Sequence, residues 1–422
     1  MRNRTQTVLP PHLYWFSISF TFFAIGGCCF LLVLCYELWK LPYFATQQMF
    51  HTPQGLLLAH TLLLGWASMT AMGASYQITQ VLLRVSVTSR RLGFTHLLLY
   101  VSGVGVLLIG LSSWIPLAIT CGGVLVSLGI AAYVINMVST YIRSSSWPPL
   151  IIGSCLSLFD LIMTALLGLF MGVAASAGYR PASYDFVLAT HIWFGVVGWL
   201  AGLVISYSFK LLPMFYVSKK KAGSVQVGTV SLFQAGVWFS ASADWAGMPV
   251  LRSVGAWMFT ISLAMLAFFA WEVRKQSSGK QPVGAVKVAE VSIYTTFFTS
   301  LIWSLTLTGK QAIASSLVPI FVLYLVLGWF SISILAYMSK VVPFLWWAYR
   351  FRTKEQKKEA VLLSKMVAQN RMTFELTSYA VGVGFMLAGV GLAHSVIITI
   401  GISIMAVCGI IYVAEAVRSF QF

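Results

Sequence analysis

The chain of 422 residues is 59% hydrophobic and 14% aromatic but only 9% charged, against about half apolar and a quarter charged in an ordinary soluble domain. That excludes a water-soluble globular domain and points to an integral membrane protein. The formal charge of +17 implies no nucleic-acid partner, because its placement orients the chain in a membrane and meets anionic lipid.

A helix needs roughly 20 apolar residues to cross a bilayer, and such stretches recur throughout. They predict an all-α, polytopic protein with twelve membrane-spanning helices, over 13–36, 54–82, 93–113, 115–142, 149–177, 185–217, 223–241, 249–273, 290–309, 313–345, 373–394 and 395–418. The ninth is the weakest. With the N-terminus in the cytoplasm, 23 Lys and Arg fall inside and four outside, Lys40, Arg180, Arg252 and Lys310. This positive-inside asymmetry predicts cytoplasmic termini and a multi-pass protein of the plasma membrane.

The first span starts after only about a dozen residues with no small-residue cleavage site before Tyr36-Glu37, so a cleavable signal peptide is not expected. Cys28, Cys29, Cys35, Cys121, Cys155 and Cys408 lie within spans without C-x-x-C spacing and read as small packing residues. The most polar stretches, 274–289 and 350–371, do not mark a soluble domain. Within the second, RTKEQKKEAVLLSKM has the Glu and Lys spacing of a short surface helix. One transmembrane domain over 1–422 is expected.

Residues 198–213, GWLAGLVISYSFKLLP, share Gly-Trp, Tyr, Lys and Pro at matched offsets with residues 328–343, GWFSISILAYMSKVVP. A third copy lies in HTLLLGWASMTAMGASYQ at 60–77, where His60 precedes Tyr76 by 16 residues as His191 precedes Tyr207. The copies mark the second, sixth and tenth spans, so a period near 130 means a unit of four helices used three times, over about 13–142, 149–273 and 290–418.

All three copies run from outside to inside. His60 and His191 then lie in the outer part of the bilayer and Tyr76 and Tyr207 near the inner end, since 16 residues rise about 24 Å. Lys210 and Pro213 mark the cytoplasmic exit, where a lysine snorkels to head groups, and Gly beside Trp lets a ring lie on a neighbouring backbone. For Lys210, Pro213 and the tryptophans, packing and anchoring suffice; lining of the helix bundle or proton movement is the alternative for Tyr76, Tyr207, Asp160 and Lys210.

The histidines ask for more. His12 and His51 lie near interfaces, His96 at the start of the third span and His394 at the outer end of the eleventh, whereas His60 and His191 sit well inside spans at equivalent repeat positions. Ionisable groups inside a membrane mark function by default, and neutral imidazole binds haem iron or copper while its second nitrogen is held by a hydrogen bond. A cofactor role is therefore preferred to a bond with a neighbouring helix. The third copy carries Phe321 in that place.

Twelve spans in three four-helix arcs, with these histidines, resemble the catalytic subunit of haem-copper oxidases and nitric-oxide reductases. THIWFGVVGWLAGLVISYSFKLLP is similar to that family's sixth helix, with His191 at the copper-ligand position, and AHTLLLGWASMTAMGASYQ to its second, with His60 at a position that ligates the low-spin haem. The seventh span, GSVQVGTVSLFQAGVWFSASADW, lacks the two further copper-ligand histidines of that family, and the tenth lacks the histidine for each haem iron. Copper, and dioxygen reduction by the family's mechanism, are not expected. What remains is one haem b on His60 and His191, or on His60 with His394; Met69 and Met72 are further candidates opposite a histidine. One ligand would suit gas binding, two electron transfer.

Asp160, within the fifth span, reads either as a proton-handling carboxyl or as one hydrogen-bonded to nearby serines, the second being preferred. Glu290 lies 130 residues later and is its candidate repeat equivalent. Two classes follow: a haem-binding protein on an oxidase-like scaffold, serving respiratory electron transfer, binding of O2 or NO, or cofactor handling, with respiratory subunits or a second copy as partners; or a polytopic transporter without haem.

Overall fold

In hydrocarbon a backbone N–H or C=O without a partner costs several kcal/mol, so a spanning segment closes its hydrogen bonds internally as helix. The computed structural model describes residues 11–47, 52–144, 147–279, 283–309, 311–351, 353, 356, 358 and 360–422. Its long helices are α1 (Pro11–Cys35), α2 (Pro53–Val81), α3 (Arg90–Ser113), α4 (Pro116–Ile142), α5 (Pro149–Ser176), α6 (Tyr184–Phe215), α7 (Gly223–Ser242), α8 (Pro249–Lys275), α9 (Val286–Gly309), α10 (Leu317–Arg350), α11 (Gln369–Gly391) and α12 (Ser395–Arg418). Among the described residues there is no strand, only an isolated bridge between Ser218 and Ser277. Arg2, Arg4, His51, Lys280, Lys310, Arg352, Lys354 and Lys357 lie outside the described residues, as does the side chain of His12.

Eleven of these helices are long and apolar enough to cross a membrane, and the protein is an all-α polytopic membrane protein. The departure from twelve falls at α7, not at the ninth span: α7 is helical, but it buries Gln226, Thr229, Gln234 and Ser240 and is too polar to qualify. The surface helix expected over RTKEQKKEAVLLSKM lies partly outside the described residues, and its described end, Leu363–Lys365, is a 3₁₀ turn.

Local signals set the boundaries. Proline opens α2, α4, α5 and α8, where its missing N–H is no loss and its fixed φ suits a first turn. Thr52 and Ser89 accept from the backbone N–H three residues on, capping α2 and α3. Trp114 turns the chain between α3 and α4 at φ 50°.

Helix packing follows the repeat. In each set of four the third and fourth helices form a tight hairpin, α3–α4, α7–α8 and α11–α12, and the first packs on the second. α4 packs on α5, α8 on α9 and α12 on α1, which closes the sets into a ring. At its centre α2, α6 and α10 touch one another pairwise. The hairpins close on glycine because helix association in lipid rests on close van der Waals approach. A Cβ at Gly129 would stand 2.8 Å from Tyr100 N, one at Gly236 2.8 Å from Gly255 O and one at Gly382 2.9 Å from Gly401 O.

Gly105 has nothing within 4 Å of an added Cβ, which gives a matched control in the same hairpin. Gly129→Ala is expected to destabilise the detergent-solubilised protein by about 1–3 kcal/mol through overpacking. Gly105→Ala should be neutral or stabilising by up to about 1 kcal/mol. Thermal unfolding of the two variants side by side checks the difference.

Candidate functional site

The three central helices share a local irregularity. π-helical segments occupy Thr61–Ser68 in α2, Trp193–Ala201 in α6 and Tyr324–Phe330 in α10. Such segments are rare, and in helices they frequently mark functional sites. Each follows the position of His60, His191 or Phe321 within three residues. Nothing in the propensities of these stretches signals the irregularity; only the repeat register does.

His60 and His191 come together. Their ring centres are 6.5 Å apart, with planes inclined by 25°. His60 Nδ1–H donates to Leu56 O at 2.8 Å, one turn earlier on α2, and His191 Nδ1–H donates to Thr164 O on α5 at 2.9 Å. A carbonyl can only accept, so both rings are fixed with the proton on Nδ1. Nε2 of each has no hydrogen-bond partner among the described residues. His191 lies on bare backbone at Gly168, where a Cβ would stand 2.9 Å from its Cε1. At the third position Phe321 stacks on Trp303, with ring centres 5.0 Å apart and planes 8° from parallel.

His394 is not part of this pair. Its side chain is exposed in the turn before α12 and makes no contact with His60, so the alternative pairing of His60 with His394 is not the one the fold forms. Met69 and Met72 are buried in the bundle core. Among the described residues no group of three or more His, Cys, Asp or Glu converges as a metal site. The donor set available to a metal or cofactor here is therefore two imidazole nitrogens.

Below the pair, hydrogen bonds link the central helices at repeat-equivalent heights. Trp199 Nε1 donates to Ser68 Oγ at 3.0 Å, Tyr207 OH donates to Ser75 Oγ at 3.4 Å, and Ser208 Oγ bonds Tyr337 OH at 2.7 Å. Tyr76 OH bonds His96 Nδ1 at 3.0 Å. His96 is fully buried among Phe22, Tyr76, Tyr100 and Tyr133, and its Nε2 has no partner among the described residues. Its place at the start of a span hid this. The available signal was helical spacing: His96, Tyr100 and Gly103 form one buried stripe of α3. Lys210 stands apart, exposed, with no side-chain partner among the described residues.

Asp160 is fully buried, but its partners are not the nearby serines. Gln234 Nε2 donates to both carboxylate oxygens at 2.8 Å, and Trp238 Nε1 donates to Oδ1 at 3.3 Å. The serines instead bond carbonyls one turn back in α5, as Ser157 does to Gly153 O. Gly198 of the repeated Gly-Trp pair makes room for the acid, since a Cβ there would stand 2.6 Å from Asp160 Cγ. Thr164 Oγ1 donates to Asp160 O at 2.7 Å, so the acid lies one turn from the carbonyl that holds His191. Glu290 is not its structural equivalent. It lies thirteen residues before Trp303, the partner of Phe321, whereas Asp160 lies four before Thr164. Glu290 accepts from the hydroxyls of Tyr216 and Tyr294 and faces Arg274 at 3.8 Å.

Removing the Asp160 acceptor leaves Gln234 a buried donor without a partner, at a cost of about 1–3 kcal/mol. Asp160→Ala is expected to lower thermal stability by at least that amount. Adding Gln234→Leu should recover part of the loss, so a double-mutant cycle in detergent gives a positive coupling; strict additivity would show that the bond contributes nothing.

No protein-family model matches the chain, and no curated protein matches it.

Proposed function

We propose that this chain is a haem-binding membrane protein in which His60 and His191 hold one haem b between them, serving electron transfer. The imidazole pair carries the reading: two rings 6.5 Å apart, each pinned through Nδ1 to a main-chain carbonyl and each with Nε2 free. Two imidazole nitrogens with no hydrogen-bond partner among the described residues form a donor set whose chemistry would suit haem iron. A carbonyl on the far nitrogen is the usual outer support of a ligating histidine, fixing tautomer and ring orientation.

When bound, the haem supplies one-electron chemistry; the chain supplies its ligands and setting. Leu56 O and Thr164 O hold the two imidazoles in the competent tautomer. Gly168 keeps α5 clear of the His191 ring. Were both His60 and His191 to ligate the group, electron transfer would be favoured over binding of O2 or NO. Another respiratory subunit or a second copy of the chain is then the expected partner class. The 23-to-4 distribution of Lys and Arg supports a plasma-membrane protein with both termini in the cytoplasm.

An absorption spectrum of the detergent-purified protein, reduced minus oxidised, tests the reading. A Soret band and a reduced α band are expected. His60→Ala and His191→Ala should each lose most of the bound haem and the double variant all of it, while His394→Ala keeps the wild-type content. Equal retention by the single and double variants rejects the ligand assignment. No Soret band and no metal would turn the reading toward a transporter.

A further inference from the structure

A pocket of about 300 Å³ opens at the end of α8, lined by Trp271, Arg274 and Lys275. Lys275 Nζ lies 5.1 Å over the Trp271 ring, and Arg274, with its side chain 66% exposed, is only 3.8 Å from Glu290. The loop after α6 is drawn to the same place. Ser218 bridges Ser277, Ser277 Oγ donates to Tyr216 O at 2.8 Å, and Lys220 pairs with Glu272 at 2.6 Å. Lys220, Arg274 and Lys275 thus lie beside two carboxylates, Glu272 and Glu290, and Lys219 and Lys221 flank Lys220 in sequence. Lys219 and Lys221 have no side-chain partner among the described residues. On the membrane side of the pocket, Phe268 and Ile261 are exposed on α8, and the Phe268 ring centre lies 5.8 Å from that of Trp271.

We propose that this is a binding site for an anionic phospholipid. The phosphate diester sits between Arg274 and Lys275, the glycerol region lies against Trp271, and an acyl chain runs over Phe268 and Ile261. The chemistry of each level matches: charge-assisted donors for phosphate, tryptophan at head-group depth and an apolar track below. Basic pockets at the ends of transmembrane helices take anionic head groups, with about 1 kcal/mol from each Lys or Arg near the surface. A zwitterionic lipid would bring its ammonium into a cluster of cations, and free phosphate leaves the apolar track unused. The proposal does not depend on haem.

The delipidated full chain in detergent is offered equimolar phosphatidylglycerol and phosphatidylcholine, and bound lipid is read by native mass spectrometry. Wild type is expected to prefer phosphatidylglycerol by at least about fivefold. Arg274→Gln with Lys275→Gln should bring the ratio near parity, while Arg90→Gln with Arg91→Gln, an equal loss of charge, keeps it. No preference in wild type, or equal loss in both double variants, overturns the site. Trp271→Ala retains every cation and should still weaken retention; unchanged retention counts against the proposal. A large excess of inorganic phosphate should leave the lipid bound, and displacement by it would overturn the lipid assignment.

Discussion

Three copies of one helix meet at the centre of the ring, and the bonds between them fix everything outside. α2, α6 and α10 touch pairwise, and Trp199 to Ser68, Tyr207 to Ser75 and Tyr337 to Ser208 join positions 129 to 132 residues apart. Lipid is as apolar as leucine, so the hydrophobic effect does little to pull these helices together. Hydrogen bonds and close packing must do it. Because the bonded residues recur with the repeat, each helix presents nearly the same height to its neighbours, and the outer hairpins, closed on glycine backbones, can ring the centre in the same way three times.

That frame explains why the outer halves are free to differ. The shared Gly-Trp lies within the π-helical turns, Tyr and Lys lie below them, and the variable position lies above them. In two arcs it holds a histidine anchored to a carbonyl. In the third, Phe321 and Trp303 lie nearly parallel at 5.0 Å, filling the equivalent space with apolar surface. Stacked aromatics contribute about 0.5–1.5 kcal/mol beyond their burial, so the third arc gains packing where the other two keep polar groups. The polar pair is consequently confined to the junction of the first and second arcs.

Much of this was legible in the chain, for physical reasons. Hydropathy finds spans because a spanning segment has little choice but to be a helix, and the Gly-Trp…Tyr…Lys…Pro frame exposes the repeat because it holds the axis. What was not legible depends on contacts between distant elements. Asp160 was read against the serines of its own helix, yet it bonds Gln234 and Trp238 of α7. Those polar partners are also why α7 falls short of the other spans in hydropathy. His96 lay at a span's start by hydropathy, yet an aromatic box encloses it. The matched spacing of Asp160 and Glu290 misled because the first helices of the second and third arcs are offset differently from their central helices.

Pseudo-symmetry also leaves a mark of its own. Positions 68, 199 and 329 are equivalent in the repeat, and they carry Ser, Trp and Trp. Two indole N–H groups therefore face a set with one hydroxyl. Trp199 takes Ser68, and Trp329, fully buried, has no partner for Nε1 among the described residues. An unpaired buried donor costs about 1–3 kcal/mol, whereas truncating a buried tryptophan to alanine costs about 3–5 kcal/mol. Packing is the larger effect, so the indole persists at the second site even without its bond. The same inequality accounts for an indole at both Trp199 and Trp329: its first duty is to fill the axis, and hydrogen bonding is added where the neighbouring copy offers a hydroxyl.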